Sequence, residues 1–146
     1  NLGKVLVPRE VLTRDGDITS GELETIRTSI LGSAELLKGV AFDGPVVETI
    51  RQVQAHWDGS GIPAGLKGED ILITARIVAV ANAFVGMISP RAYRPGLPMD
   101  EVIRILLEKV DTVFDRRPVA ALVNFLDNHG GREKWERRQE NSPDKA

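Results

Sequence analysis

Apolar positions recur three or four residues apart along most of the chain, and no convincing period-2 strand series appears, which predicts an all-α fold. Asn1 to Asp17 is irregular, with Pro8 breaking the backbone and Asp15-Gly16-Asp17 forming a turn. Thr19-Ser20-Gly21-Glu22 has the form of a capping box, in which threonine and glutamate satisfy free N–H groups. The helix it opens is predicted to run to about Lys38, with Leu23, Ile26, Ile30, Ala34 and Leu37 on one face. A second helix follows Pro45, its stripe being Val47, Ile50, Val53 and Trp57. Asp58-Gly59-Ser60-Gly61-Ile62-Pro63 then demands a tight loop, continued by Ala64 to Glu69.

The third predicted helix, about Leu72 to Met87, is apolar nearly all round, which predicts a central, enclosed position. Asn82 is the one polar residue in its last three turns. Pro90 to Pro98 is a Pro-Gly-rich connection carrying Arg91, Tyr93 and Arg94. Helices at about Met99–Lys109 and Pro118–Asp127 complete the expected domain, residues 1–128. Residues 129–146 read as a charged, flexible tail, with room for a helical turn around Trp135.

Composition narrows the chemistry. A chain of 146 residues, 42% apolar and 27% charged, suits one globular domain. No apolar run approaches the ~20 residues of a membrane span. No secretory signal is visible at Asn1, which fits a cytoplasmic location. Zero cysteine removes disulfides, zinc ribbons and thiol catalysis together. A net charge of -2 offers no bulk attraction for nucleic acid. With only His56 and His129, a histidine-rich metal centre cannot be built from this chain. His56 reads as a partly exposed helix-end residue, and His129, beside Gly130, as a helix C-terminal cation or cap.

The ordered series Trp57-Asp58-Gly59-Ser60-Gly61-Ile62-Pro63, Gly65 to Glu69, Ala75-Arg76-Ile77-Val78-Ala79-Val80-Ala81, Ala83-Phe84, Met87, Arg91 and Tyr93-Arg94 closely resembles the HD-GYP family, bacterial helical phosphodiesterases that hydrolyse cyclic di-GMP. Gly3-Lys4 resembles the end of that family's HDxGK motif. The resemblance covers about Asn1 to Leu126 and implies an HD-domain-like helical bundle, seen here as the C-terminal two-thirds without its first helices.

The family's reaction is metal-assisted, with two or three iron- or manganese-type cations held by imidazoles and carboxylates. Carried over motif by motif, those ligand positions fall on Asn1, Ser29, Val53, Gln54 and Asn82. Valine has no lone pair, and an amide lacks the full charge that bridging two cations needs. The resemblance therefore implies no metal, no resident cofactor and no catalytic residue. Asn1 and Asn82 would remove negative charge that, buried without cations, is costly. Val53 would turn a ligand site into packing.

Lys4, Arg91 and Arg94 match family residues near nucleotide phosphates, and a guanidinium fork suits that contact. The alternative for Arg91 and Arg94 is a solvated loop with local ion pairs. Asp58, Gly59, Gly61, Ile62 and Pro63 form the GYP-like loop, where Ile62 replaces the tyrosine. Trp57 reads as a core anchor and the two glycines as backbone geometry. The leading expectation is a catalytically silent domain that regulates or binds a protein, or a second copy of itself. A non-hydrolysing cyclic dinucleotide receptor and a residual phosphodiesterase are the alternatives.

Overall fold

A computed structural model describes residues 2, 7–12, 19–90 and 95–140. Among them every regular element is helical: α1 (Arg9–Leu12), α2 (Ser20–Leu37), α3 (Val46–Gln52), α4 (Ile73–Ile88), α5 (Met99–Glu108), α6 (Arg116–Asn128) and α7 (Gly131–Glu140). A 3₁₀ turn at Gly68–Asp70 precedes α4. The expected all-α class is what the chain adopts.

The capping box forms as read. Thr19 N–H donates to Glu22 Oε2 at 2.9 Å, and Glu22 N–H donates to Thr19 Oγ1 at 3.3 Å. The buried line of α2 includes Ala34, but also Ser29 and Ser33, whose hydroxyls suit a close approach between helices. Helix α2 packs on α3, and Arg51 of α3 reaches Glu35 at 2.6 Å. The second helix is shorter than its stripe suggested: it stops at Gln52, and 53–57 turn away from its axis. Buried Gln52 ties the two halves together. Its Oε1 accepts the Leu72 N–H at 2.8 Å, giving the uncapped start of α4 a partner.

The main core lies between α4, α5 and α6. Val80, Phe84 and Ile88 meet Met99, Val102, Ile103 and Leu106, with Phe114, Val119 and Leu126 closing the layer. A smaller cluster, Ala55, Ile71 and Ala75, seats the glycine-rich loop on α4. The expectation that α4 is enclosed all round does not hold. Ile73, Ile77, Val78 and Val85 are 38–51% exposed along one side of it. Its other side supplies the core, so the all-round apolar pattern serves two faces of which this chain covers one.

The stretch expected as a charged tail is structured through α7. Gly130 takes a positive φ of 68° and ends α6 beyond the His129 cap, as a left-handed position favours glycine. A Cβ on Gly131 would sit 2.7 Å from the Phe125 ring, so α6 and α7 approach closely there. Arg132 then binds Asp127 at 2.8 Å and Asp100 at 2.7 Å. Trp135 meets Phe84 edge-to-face, centroids 5.1 Å apart. Two anchors thus dock α7, while Glu133, Lys134, Glu136 and Arg137 stay exposed.

One ion pair links α4 to α6. Arg76 Nη1 lies 2.7 Å from Asp115 Oδ2; Asp115 is buried and the Arg76 side chain is 10% exposed. Asp115 also caps α6, accepting the Arg117 N–H at 2.9 Å. Burial pushes its carboxyl up, but the Arg117 N–H and the Arg76 and Arg117 guanidiniums outweigh this and hold it below the usual aspartate range. Asp115→Asn leaves a buried cation uncompensated and is expected to cost about 3–5 kcal/mol in urea unfolding. Because the folded-state pKa is depressed, the stabilisation is complete at neutral pH and is lost as pH falls below about 4. The variant's stability should accordingly fall less steeply with acid than wild type. Trp135→Ala is expected to cost about 1–3 kcal/mol through loss of its contact with Phe84, read from the thermal midpoint; no change would place α7 outside the folding unit.

Candidate functional site

The loop from Trp57 to Gly68 is pinned at both ends by backbone bonds. Trp57 N–H donates to Val113 O at 3.1 Å, Asp58 N–H to Thr112 O at 2.9 Å, and Gly68 N–H to Trp57 O at 2.9 Å. The Arg76 guanidinium sits 5.7 Å from the centroid of the Trp57 ring, so one arginine both stacks on the loop and pairs with Asp115. Arg117 adds an exposed link to Glu69 at 2.8 Å. Trp57 is half-buried and anchors the loop through these contacts.

Glycine is required at two points. Gly59 has φ 88°, in the left-handed region. Gly61 is buried, and a Cβ there would lie 2.3 Å from His56 N and 2.4 Å from Gln54 O. The loop therefore folds back directly onto the chain leaving α3, and Ile62 N–H donates to Gln54 O at 3.0 Å. The Ile62–Pro63 peptide is cis. Asp58 accepts the Ser60 N–H at 2.8 Å, and this bond, helped by the Ser60 hydroxyl, holds its carboxyl below the ordinary range. His56 Nδ1 and Ser60 Oγ are 2.9 Å apart.

This fold-back encloses a cleft of about 310 Å³ between the loop, the exit of α3, α4 and the 113–114 segment. Val53, Gln54, His56, Ile62, Ala79 and Phe114 are among its walls. Two of the five carried-over ligand positions, Val53 and Gln54, thus share one cleft with Ile62 of the GYP-like loop. Ser29 is buried on α2 and Asn82 is exposed on α4; neither is part of this wall. The burial penalty invoked for an aspartate at position 82 does not apply, because that position is open to solvent here. Asn1, Lys4, Arg91 and Arg94 lie outside the described residues.

The donor set does not fit a di-metal centre of carboxylates and imidazoles. Among the described residues no three His, Cys, Asp or Glu side chains come together in a way that could hold a metal ion. The described lining residues offer an amide, an imidazole and a hydroxyl against apolar walls, with no carboxylate among them. Such a surface can hydrogen-bond a neutral group but cannot balance a cation.

Arg76 and Asp115 did not stand out as site-supporting residues in the sequence. The available signal was that Arg76 is the lone charge in the apolar run from Ile71 to Pro90. Ser60 likewise enters the sequence reading only as part of the tight loop, although its hydroxyl joins His56 to Asp58.

These features belong to a known class. An HD domain family model matches residues 1–117, and the chain belongs to the HD domain family. It is 32% identical over 139 residues to a probable cyclic di-GMP phosphodiesterase of Vibrio cholerae, covering 87% of this chain and 32% of that protein. It is 35% identical over 125 residues to the cyclic di-GMP phosphodiesterase response regulator RpfG of Xanthomonas campestris, covering 84% and 33%. A crystal structure of a cyclic GMP-AMP specific phosphodiesterase from Vibrio cholerae matches the fold with a TM-score of 0.62 at 18% identity, over 97% of this chain and 38% of that one. The chain spans about a third of the length of these curated relatives. No helix among the described residues is long and apolar enough to cross a membrane.

The close approach at Gly61 makes a direct test of the loop geometry. Gly61→Ala is expected to destabilise by about 3 kcal/mol or more, since the backbone must move, whereas Gly44→Ala, facing open space, should stay within about 0.5 kcal/mol. Equal midpoints for the two variants in denaturant unfolding would contradict this packing.

Proposed function

We propose that this chain is a catalytically silent HD domain of bacterial cyclic-dinucleotide signalling, acting in the cytoplasm through a protein partner or a second copy of itself. The observation that carries this reading is the chemistry at the family's ligand positions. The described ones, Ser29, Val53, Gln54 and Asn82, carry a hydroxyl, an alkyl group and two amides. Water can replace one missing ligand at a metal. It cannot supply the net negative charge that a set of cations requires from its protein.

The framework around those positions supports retention of a non-catalytic role. The Trp57–Gly68 loop is fastened by backbone bonds, the Arg76 stack and the Gly61 approach, all independent of any metal. The uncharged stripe of Ile73, Ile77, Val78 and Val85 on α4 supports protein contact, because contiguous exposed apolar surface is the kind that partners cover.

The cleft favours a second reading, a receptor that binds a cyclic dinucleotide without cleaving it. Its neutral hydrogen-bonding groups and apolar walls suit a base better than a phosphodiester.

Hydrolysis of cyclic di-GMP and of 3′3′-cyclic GMP-AMP by the full-length protein, with manganese or ferrous iron supplied, tests the silent reading. The expected result is no turnover above the metal-only control. Turnover that a chelator abolishes and metal restores would overturn it.

A further inference from the structure

We propose that a second cleft, between α6 and α7, docks an acidic segment of a partner protein in which a large apolar side chain adjoins an aspartate or glutamate. The cleft measures about 390 Å³ and has Phe125, Lys134, Trp135 and Arg137 among its walls. It shares no described lining residue with the cleft beside the glycine-rich loop. The inference therefore stands apart from the silence of the family site, which hydrolysis tests separately.

The charges of α7 are sorted by face. Residues three apart share a side of a helix. Arg132 and Trp135 face the body of the domain, where they meet Asp100, Asp127 and Phe84. Lys134 and Arg137 form the row along the cleft. Glu133 and Glu136 form a third row, exposed and not among the described lining residues. Arg137 reaches Glu133 at 3.0 Å across the boundary between two rows, which leaves Lys134 as the principal cation of the cleft. Helix α7 is thus mixed in charge as a whole but cationic where it borders the cleft.

Below those cations lies a restrained aromatic surface. Leu122, Val123 and Leu126 of α6 pack into the main core, whereas Phe125 stays 39% exposed. One edge of its ring is wedged against the α7 backbone at Gly131, where a Cβ would sit 2.7 Å from Cε1. The Lys134 amino group lies 5.9 Å from the Phe125 centroid. An ammonium over an aromatic face keeps its charge and its N–H donors, so this contact holds Lys134 at the rim without neutralising it.

The occupant follows from these two parts. A large apolar side chain covers the Phe125 and Trp135 surface, and the neighbouring carboxylate accepts from Lys134 and, at the edge, Arg137. Ligand sites run from about 300 to 1,000 Å³, and this volume suits one such side chain with its neighbour. Aromatic and arginine side chains are also what protein interfaces favour at their anchors. An anionic membrane offers apolar and acidic groups too, but two features disfavour it. Glu133 and Glu136 on the exposed flank of α7 repel such a surface, and Trp135 is engaged with Phe84.

Fluorescence anisotropy of a labelled short peptide, phenylalanine flanked by aspartates, titrated with the full-length protein tests the inference. Saturable binding is expected. It should weaken at least about tenfold when the peptide's aspartates become asparagine, and as much when its phenylalanine becomes serine. Lys134→Glu, at an exposed position, is expected to weaken it at least about tenfold, and Glu136→Gln, on the adjoining row, to stay within about threefold. Near-ultraviolet circular dichroism reports whether Trp135 stays docked in each variant. If Lys134→Glu releases α7, Lys134→Gln replaces it, with an expected loss of at least about threefold. No binding at high-micromolar protein, a docked Lys134 variant that binds like wild type, or equal losses in the Lys134 and Glu136 variants would overturn the docking site. Lys134-dependent binding to phosphatidylserine vesicles by protein that ignores the peptide would also overturn it, in favour of a membrane contact.

Discussion

The buried pair of Arg76 and Asp115 is the constraint on which the rest of the architecture hangs. Asp115 caps α6, Arg76 projects from α4, and the same guanidinium stacks on Trp57 at the entrance of the glycine-rich loop. Through their three contacts these two side chains link helix to helix, helix to cap and helix to loop, the direct ion pair being 2.7 Å long. Burying two charges is favourable only when geometry and extra hydrogen bonds compensate for lost water. Here the Arg117 N–H and the indole face provide that compensation. None of it depends on a metal, so the loop can keep its shape when the chemistry at the ligand positions changes.

That independence is central to the proposed role. In a metal-dependent site the cations themselves organise the surrounding side chains, and their loss would be expected to loosen the loop. In this chain the loop is held by Gly61 packing against His56 N, by backbone bonds to 112–113, and by the small cluster of Ala55, Ile71 and Ala75. Ser29, Val53, Gln54 and Asn82 are consequently free of any coordination duty on this reading. Val53 and Gln54 line the cleft, Ser29 is buried on α2, and Asn82 is exposed beside the apolar stripe of α4.

Much of the helical layout was legible because its signals are local. The Thr19–Glu22 box, the stop after Leu37 and the breakers from Asp58 to Pro63 all act within a few residues. Three features were not legible, each for a non-local reason. The apolar run of α4 reads the same whether one face or both are covered, so its exposed side could not be inferred from periodicity. Helix α7 has a charged composition, and its contacts with Asp100 and Phe84, distant in sequence, give its docking no local signature. The Arg76–Asp115 pair spans 39 positions and leaves no spacing signature. At the site, the sequence pointed to Val53, Gln54 and Ile62 separately. Their meeting in one cleft follows from the Gly61 fold-back, a tertiary contact that a one-dimensional pattern does not encode.

The proposed silence rests on the absence of the family's metal centre from this protein. Metal content of the full-length protein, purified without chelator after growth with iron and manganese and measured by plasma mass spectrometry, tests it most directly. The expected content is iron, manganese and zinc well below one ion per chain. Stoichiometric iron or manganese, removed by chelator and regained on resupply, would contradict it.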